Sequence, residues 1–489
     1  MTGLDNWADD RFDRRDFSVF LTKVLAVQTH AVSAKGEQRG WSVALDASWG
    51  AGKSYFVRRW AQDLRDIGYP VVLFDAWEND IGSEPSIALM AEVNREMKIW
   101  SKKIPKTNLV KNRANDLIKE TGKKLRRSLM PLSKIVVSSL LKRAVGVGIS
   151  EITDALSLDV ESDSSKFSAD ELLDKAFDLS LEGQIQRKEN ISQFKIKLVE
   201  LLEILKQEAN AKLPLFVFVD ELDRCRPTYA ISMLEEIKHI FGMNNVCFVL
   251  STNLSELRHS ICAVYGQSFS SEIYLKRFFD VSIELPDSNS GEFVRDLFDL
   301  TNSIKKKIHF TAIPDDRPTN FKTEMFAISW IFNSFELDAR SQKQAFHIAD
   351  TVAEFLEVNV IHTTFLFFLC ALFIKSKEKF DSLAGGGSLP EVIDSVIKRN
   401  IPCVYRDVRG NGHQKAELKM SNVIYEYLRC ANLEIEEIRK KASRFDGTDP
   451  LVMISMNLME EFQSQSIRKE KPSIADYFKL VRNAGYLKR

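Results

Sequence analysis

The octad Ala47-Ser48-Trp49-Gly50-Ala51-Gly52-Lys53-Ser54 has the spacing of a phosphate-binding loop, with alanine in the first glycine position. Small residues let successive backbone N–H groups close around a β-phosphate at the positive end of the following helix. Lys53 would reach the β- and γ-phosphates and the Ser54 hydroxyl would ligate Mg²⁺, with Tyr55 completing a nucleotide-binding run over 47–55. The alternative is a glycine-rich turn that happens to end in Lys-Ser. The flanking WSVALD and YFVRRW, a strand before and a helix after, favour the phosphate loop. A second run, LFVFVDELDRC (215–225), is an apolar strand ending in two adjacent carboxylates, the Walker B arrangement. Asp220 would hold Mg²⁺ through water, and Glu221 would polarise an attacking water as general base. The expected substrate is ATP, with Mg²⁺ as cofactor.

Weaker signals surround these two. The strand VCFVLS runs into Thr252 and Asn253, and Asn253 suits either a γ-phosphate sensor or the N-cap of a helix over 254–264. Four arginines could neutralise transition-state charge, from the same or a neighbouring subunit: Arg224, Arg226, Arg277 and Arg340. Each could equally make an ordinary ion pair.

Elements to position these residues are legible in outline. Helical spacing over 16–34 precedes WSVALD (41–46), a helix follows Ser54, and VVLFD (71–75) is a second strand. With LFVFVD, VCFVLS and VSIEL (281–285) separated by helical stretches, the pattern is that of a doubly wound parallel sheet. VVLFD lies between the two motifs as the additional strand of ATPases that place a catalytic Glu beside the Walker B Asp. Beyond about residue 290 the strand signals fade. Helix is expected over 340–357 and, continuously, over 358–375. The resulting division is an α/β ATPase core from 1–100 and 206–290, a basic and mainly helical insertion over 101–205, and a helical C-terminal domain over 291–489.

The whole chain carries 68 basic and 68 acidic side chains, so its charge gives no global pull toward polyanions. Locally, 101–143 holds 13 Lys or Arg against Asp116 and Glu120, a net charge of +11. Leu125, Leu129, Leu132, Val136 and Leu140 line one helical face there, although Pro131 interrupts it. Three readings stay open for 101–143: a solvated helical insertion packed on the core, a surface for anionic lipid or a partner helix, or sequence-blind binding to nucleic-acid phosphates. Composition excludes a wholly disordered chain, a collagen-like fibre and a disulfide scaffold, and none of the six cysteines has CxxC spacing. The N-terminus is too charged for a signal peptide. Of two possible membrane spans, 135–150 is interrupted by Lys142 and Arg143. The other, 358–374, is short and carries Asn359, His362, Thr363 and Thr364. No transmembrane segment is expected, and a cytoplasmic location follows.

Together the motifs resemble the KAP group of P-loop NTPases. The residues that carry the resemblance are SWGAGKS (48–54), FDAW (74–77), VDELDRCRP (219–227), the stretch 229–253, YLKRFFD (274–280) and, more loosely, LDARSQKQAF (337–346). It implies an ATPase with the additional-strand sheet, a helical C-terminal domain, homo-oligomerisation and, in bacteria, a role in defence against phages or plasmids. Many members carry transmembrane helices between the two motifs, a slot occupied here by 101–205. No second catalytic constellation is visible, so effector chemistry is expected from a partner protein encoded nearby. Two other functions remain open, a nucleic-acid-dependent motor or clamp and a nucleotide-gated scaffold with little turnover.

Overall fold

The computed structural model describes residues 6–34, 39–81, 85–105, 109–128, 169–240, 243–286, 291–311, 322–397, 403–407, 414–444, 449–464 and 473–486. The chain divides into two compact units. One comprises 1–8, 15–47 and 53–285; the other comprises 9–14, 48–52 and 286–489.

In the first unit, five apolar runs form β1 (Trp41–Asp46), β2 (Val71–Asp75), β3 (Leu215–Asp220), β4 (Val246–Thr252) and β5 (Val281–Glu284). All pair in parallel, in the spatial order β2-β3-β4-β1-β5. Parallel strands with both faces covered read as continuous apolar runs. β3 and β4 fit that rule: only Asp220, at the end of β3, is less than fully buried. Their period-2 alternation feeds two cores. Phe216, Phe218, Cys247 and Val249 point to one face, and Leu215, Val217, Val219, Phe248 and Leu250 to the other.

VVLFD is β2, an edge strand beside β3, whereas the strand between the phosphate-loop strand and the Walker B strand is β4. VCFVLST is buried at every position, so it suits the centre, and its place there depends on crossover connections rather than on sequence order.

Helix α1 (Arg14–Ala34) and helix α2 (Lys53–Asp66) cover the first face. In α2, Phe56, Val57, Trp60, Ala61 and Leu64 form the buried stripe of an amphipathic helix. Trp60 packs at 5.0 Å on Phe218 and donates its indole N–H to Thr22 of α1 at 2.8 Å. Among the described residues α1 is the one helix long and apolar enough to cross a membrane, and a third of that apolar window is buried. Its Leu21 and Leu25 enter the core with Trp60.

Helix α3 (Pro85–Ser101) and the helices Pro227–Ile240 and Leu254–Tyr265 cover the second face. Helix α4 (Leu109–Ser128) and the long helix Ala169–Glu208 extend the same core through Ala114, Ile118, Phe194, Leu198 and Leu201. Arg113 pairs with Glu200, and Lys197 with Glu120. The described part of the basic segment therefore packs on the sheet's own core. Of the expected apolar stripe, Leu125 falls within α4, while Leu129, Leu132, Val136 and Leu140, like the possible span at 135–150, lie outside the described residues.

The second unit is built mainly of helices around a phenylalanine-rich core that includes Phe332, Phe335, Phe346, Phe365, Phe367 and Phe368. Two small sheets add to the expected helices. β6 (Ile308–Phe310) pairs in parallel with β7 (Val360–His362), and β8 (Cys403–Asp407) pairs antiparallel with β9 (Gln414–Leu418). Three-residue strands are too short to register as periodicity, so 358–375 reads as one helix. The chain instead makes β7, and the helix runs over Thr363–Lys375 with Thr363–Leu372 wholly buried.

At this junction His362 and Glu461 form a pair with no exposed side-chain surface, Nε2 to Oε2 at 2.9 Å. The second Glu461 oxygen accepts from the Ser473 backbone N–H at 3.1 Å. Burial alone would raise the Glu461 carboxyl, but the hydrogen bond and charge of His362, with the Ser473 bonds, hold it below the usual carboxylate range. A depressed folded pKa contributes stability above the unfolded value, about 4.3, and that contribution is lost as pH falls through the folded one. Glu461→Gln is expected to cost about 1–3 kcal/mol at neutral pH, because the buried carboxylate bond to His362 is replaced by a weaker amide one. It should also flatten the acid limb of stability. Denaturant unfolding between neutral and acidic pH reads both effects.

Candidate nucleotide site

Three strands of the sheet end in aspartate at their carboxyl edge: Asp46 of β1, Asp75 of β2 and Asp220 of β3. Asp75 and Asp220 are register partners, as are Asp220 and Ser251, and Asp46 and Thr252. Ligands in open α/β sheets bind beyond this edge.

The loop 47–52 leaves β1 here and enters α2 at Lys53. Its first N–H, from Ala47, donates to the Thr252 carbonyl at 3.3 Å. Gly50 and Gly52 have φ of +86° and +87°, a left-handed backbone that side chains disfavour. Lys53 is buried and its ammonium curls back to donate to the Ala47 carbonyl. Burial lowers its pKa, opposed by the negative charges of Asp223, Asp220 and Asp46.

Glu221 follows β3 in a strained conformation, φ 61° and ψ 27°, ahead of the 3₁₀ turn Leu222–Arg224. A non-glycine residue in this region costs about 1–3 kcal/mol and persists where its surroundings hold it. Here Arg224 Nη1 pairs with Glu221 Oε2 at 2.9 Å, and the Ser54 hydroxyl lies 3.5 Å from Glu221 Oε1. Burial raises the Glu221 carboxyl; Arg224 opposes that shift, and Asp220, Asp75 and Asp223 add to it. The loop serine and the Walker B glutamate, 167 residues apart, are thus brought together.

The residues fit a nucleotide with Mg²⁺. Two left-handed glycines and a buried lysine suit the oxygens of a phosphate, and the Thr252 and Ser251 hydroxyls at the carboxyl end of β4 are buried without a hydrogen-bond partner among the described residues. Ser54 and Asp220 offer the oxygen donors Mg²⁺ prefers. Among the described residues no cluster of three or more His, Cys, Asp or Glu side chains could hold a metal ion by itself.

Asn253 caps the helix Leu254–Tyr265, its side-chain oxygen accepting from the N–H groups of Ser255 and Glu256 at 3.1 and 3.4 Å. Arg226 clamps Asp80 through its backbone N–H and its guanidinium, at 2.7 and 2.9 Å. Exposed Arg277 lies over the Tyr274 ring at 5.8 Å. Tyr55 stacks under Arg59 at 3.6 Å, and Trp49 is 44% exposed at the loop tip.

Arg340 sits differently. Within the second unit, which includes the loop tip 48–52, Asp338 caps the helix Ala339–Phe355 by accepting from the N–H groups of Arg340 and Ser341, both at 2.9 Å. A methyl group added at Gly50 would stand 2.2 Å from Asp338 Oδ1 and 3.0 Å from Arg340 Cβ. Gly50→Ala is therefore expected to cost about 2–4 kcal/mol, combining left-handed strain with overpacking. Chemical denaturation measures the loss.

Sequence reasoning missed Asp46 and Asp338. Asp46 Oδ1 accepts the Leu254 N–H at 2.9 Å, tying the loop strand to the turn after β4. An apolar strand ending in aspartate was the available signal for Asp46. For Asp338 the only signal was its N-cap spacing before an amphipathic helix.

The parallel sheet and the phosphate loop define a P-loop NTPase-like α/β protein. The KAP family P-loop domain matches residues 19–352, and the chain belongs to that family. No curated protein matches the chain. Among solved structures, the ORC2 protein of Aeropyrum pernix, in ADPNP–ADP complexes, is similar over 96% of this chain and 86% of that one at 11% identity. Its TM-score of 0.26 is too low to bear on the fold or the site.

Proposed function

We propose that this chain is a Mg²⁺-dependent ATPase of the additional-strand, catalytic-glutamate type. The observation that carries the reading is the approach of Ser54 to Glu221 across the sheet edge, with a buried Lys53 in the same loop. Mg²⁺, held by Ser54 and by Asp220 through water, would supply charge neutralisation at the phosphates. Lys53 would bind the β- and γ-phosphates, and Glu221 would accept the proton of the attacking water. Asn253 can sense the γ-phosphate through the part of its side chain not used in capping. Arg340, set against Gly50 within the same unit, would add positive charge at the loop tip, and Arg277 is the weaker candidate.

The hydrolysis cycle would switch conformation or assembly in a cytoplasmic homo-oligomer serving defence against phages, with effector chemistry in a partner protein. That assignment rests on the family. Purified protein should release phosphate from ATP with Mg²⁺ and stop when EDTA is added; turnover unaffected by EDTA would reject the Mg²⁺-dependent reading. Adding DNA or RNA to the same assay separates the switch from a nucleic-acid-dependent motor, which would be stimulated several-fold through 101–143.

A further inference from the structure

A buried arginine outside both motifs reaches the phosphate loop. Arg14 is 1% exposed. Its Nη1 donates to the Ala51 carbonyl at 2.9 Å and its Nη2 to the Pro286 carbonyl at 2.7 Å. The guanidinium also lies over the Phe12 ring at 4.8 Å, and the Arg14 backbone N–H is held by Asp10 at 2.7 Å. Arg14, the loop tip, Phe12 and Pro286 all belong to the second unit. Arg14 is therefore held at both ends, its backbone by Asp10 and its guanidinium by two carbonyls far apart in sequence.

The Ala51–Gly52 peptide bond is trans. A trans peptide points its carbonyl and the following N–H to opposite sides. Anchoring the Ala51 oxygen on Arg14 thus turns the Gly52 N–H to the side of the loop away from Arg14. A Cβ at 52 would stand 3.1 Å from Nη1, a tight contact, and the φ of +87° there already favours glycine.

We propose that Arg14 is a positioning residue for nucleotide binding, locking the Ala51–Gly52 peptide so that the Gly52 N–H is presented to a phosphate oxygen of a nucleoside di- or triphosphate. This rests on the reading of 47–54 as a nucleotide site. It adds a donor-orienting group from the N-terminal segment to a loop otherwise described by its own residues. Preorganised donors bind anions better because the ligand need not order them.

The test measures equilibrium binding of MgADP to folded wild-type, Arg14→Gln, Arg14→Lys and Lys53→Ala proteins, together with their unfolding temperatures. Arg14→Gln should raise the Kd by about tenfold or more, and Arg14→Lys, which keeps the charge but reaches one carbonyl, by about threefold. If Arg14→Gln does not fold, Arg14→Lys decides alone. An Arg14 with a purely structural role would lower the unfolding temperature yet leave the Kd of folded protein at the wild-type value, and that result overturns the proposal. Wild-type protein that binds no MgADP would instead reject the nucleotide site itself.

Discussion

Glu221→Gln is expected to lower ATP turnover by about 10²–10⁴-fold while leaving the affinity for MgATP close to wild type. The amide has the shape of the carboxylate and can still accept from Arg224, which pairs with Glu221 at 2.9 Å. It cannot take a proton from water at neutral pH. The backbone strain at this residue, φ 61°, is unchanged by the substitution, so the loop should keep its form. The wild-type pH profile should show the same group. Burial raises the Glu221 carboxyl, so the base is lost by protonation at a higher pH than for an ordinary exposed glutamate. Phosphate release measured beside equilibrium binding separates the outcomes. A nucleotide-gated scaffold would show little turnover in either protein.

Lys53→Ala is expected to weaken nucleotide binding by about 10²-fold, the cost of removing one partner from a desolvated charge pair. Lys53 is only 8% exposed, and its pKa is lowered mainly by burial, against the pull of Asp223, Asp220 and Asp46. A polyphosphate supplies the compensating charge that the buried ammonium otherwise takes from those carboxylates and from the Ala47 carbonyl. Without the ammonium, the ligand's negative charge would face three aspartates with less to offset them. Titration with a fluorescent nucleotide reads the change directly.

How much of this was legible follows from the range of each interaction. The loop 47–54 and the strand 215–220 are local patterns, and each strand and helix that frames them stands close to where its apolar period places it. The side-by-side order of strands is non-local, so the place of β4 between β3 and β1 could not be read from the order of the runs along the chain. β7 escaped notice because three residues carry no period, and its register is set by pairing with β6. Arg14 was invisible for a different reason. It sits in the charged string RFDRRDF, and its partners are backbone carbonyls, which have no sequence signature. Asp338 marks its contact with Gly50 only through folding of the second unit.

The central claim is that the loop over 47–54 is a working nucleotide site. Equilibrium binding of MgATP to the purified wild-type chain tests it most directly. Saturable binding is expected, with a Kd in about the micromolar range or tighter, weakened about 10²-fold when Lys53 is replaced by alanine. A wild-type protein that binds neither ATP nor ADP in the presence of Mg²⁺ would contradict it.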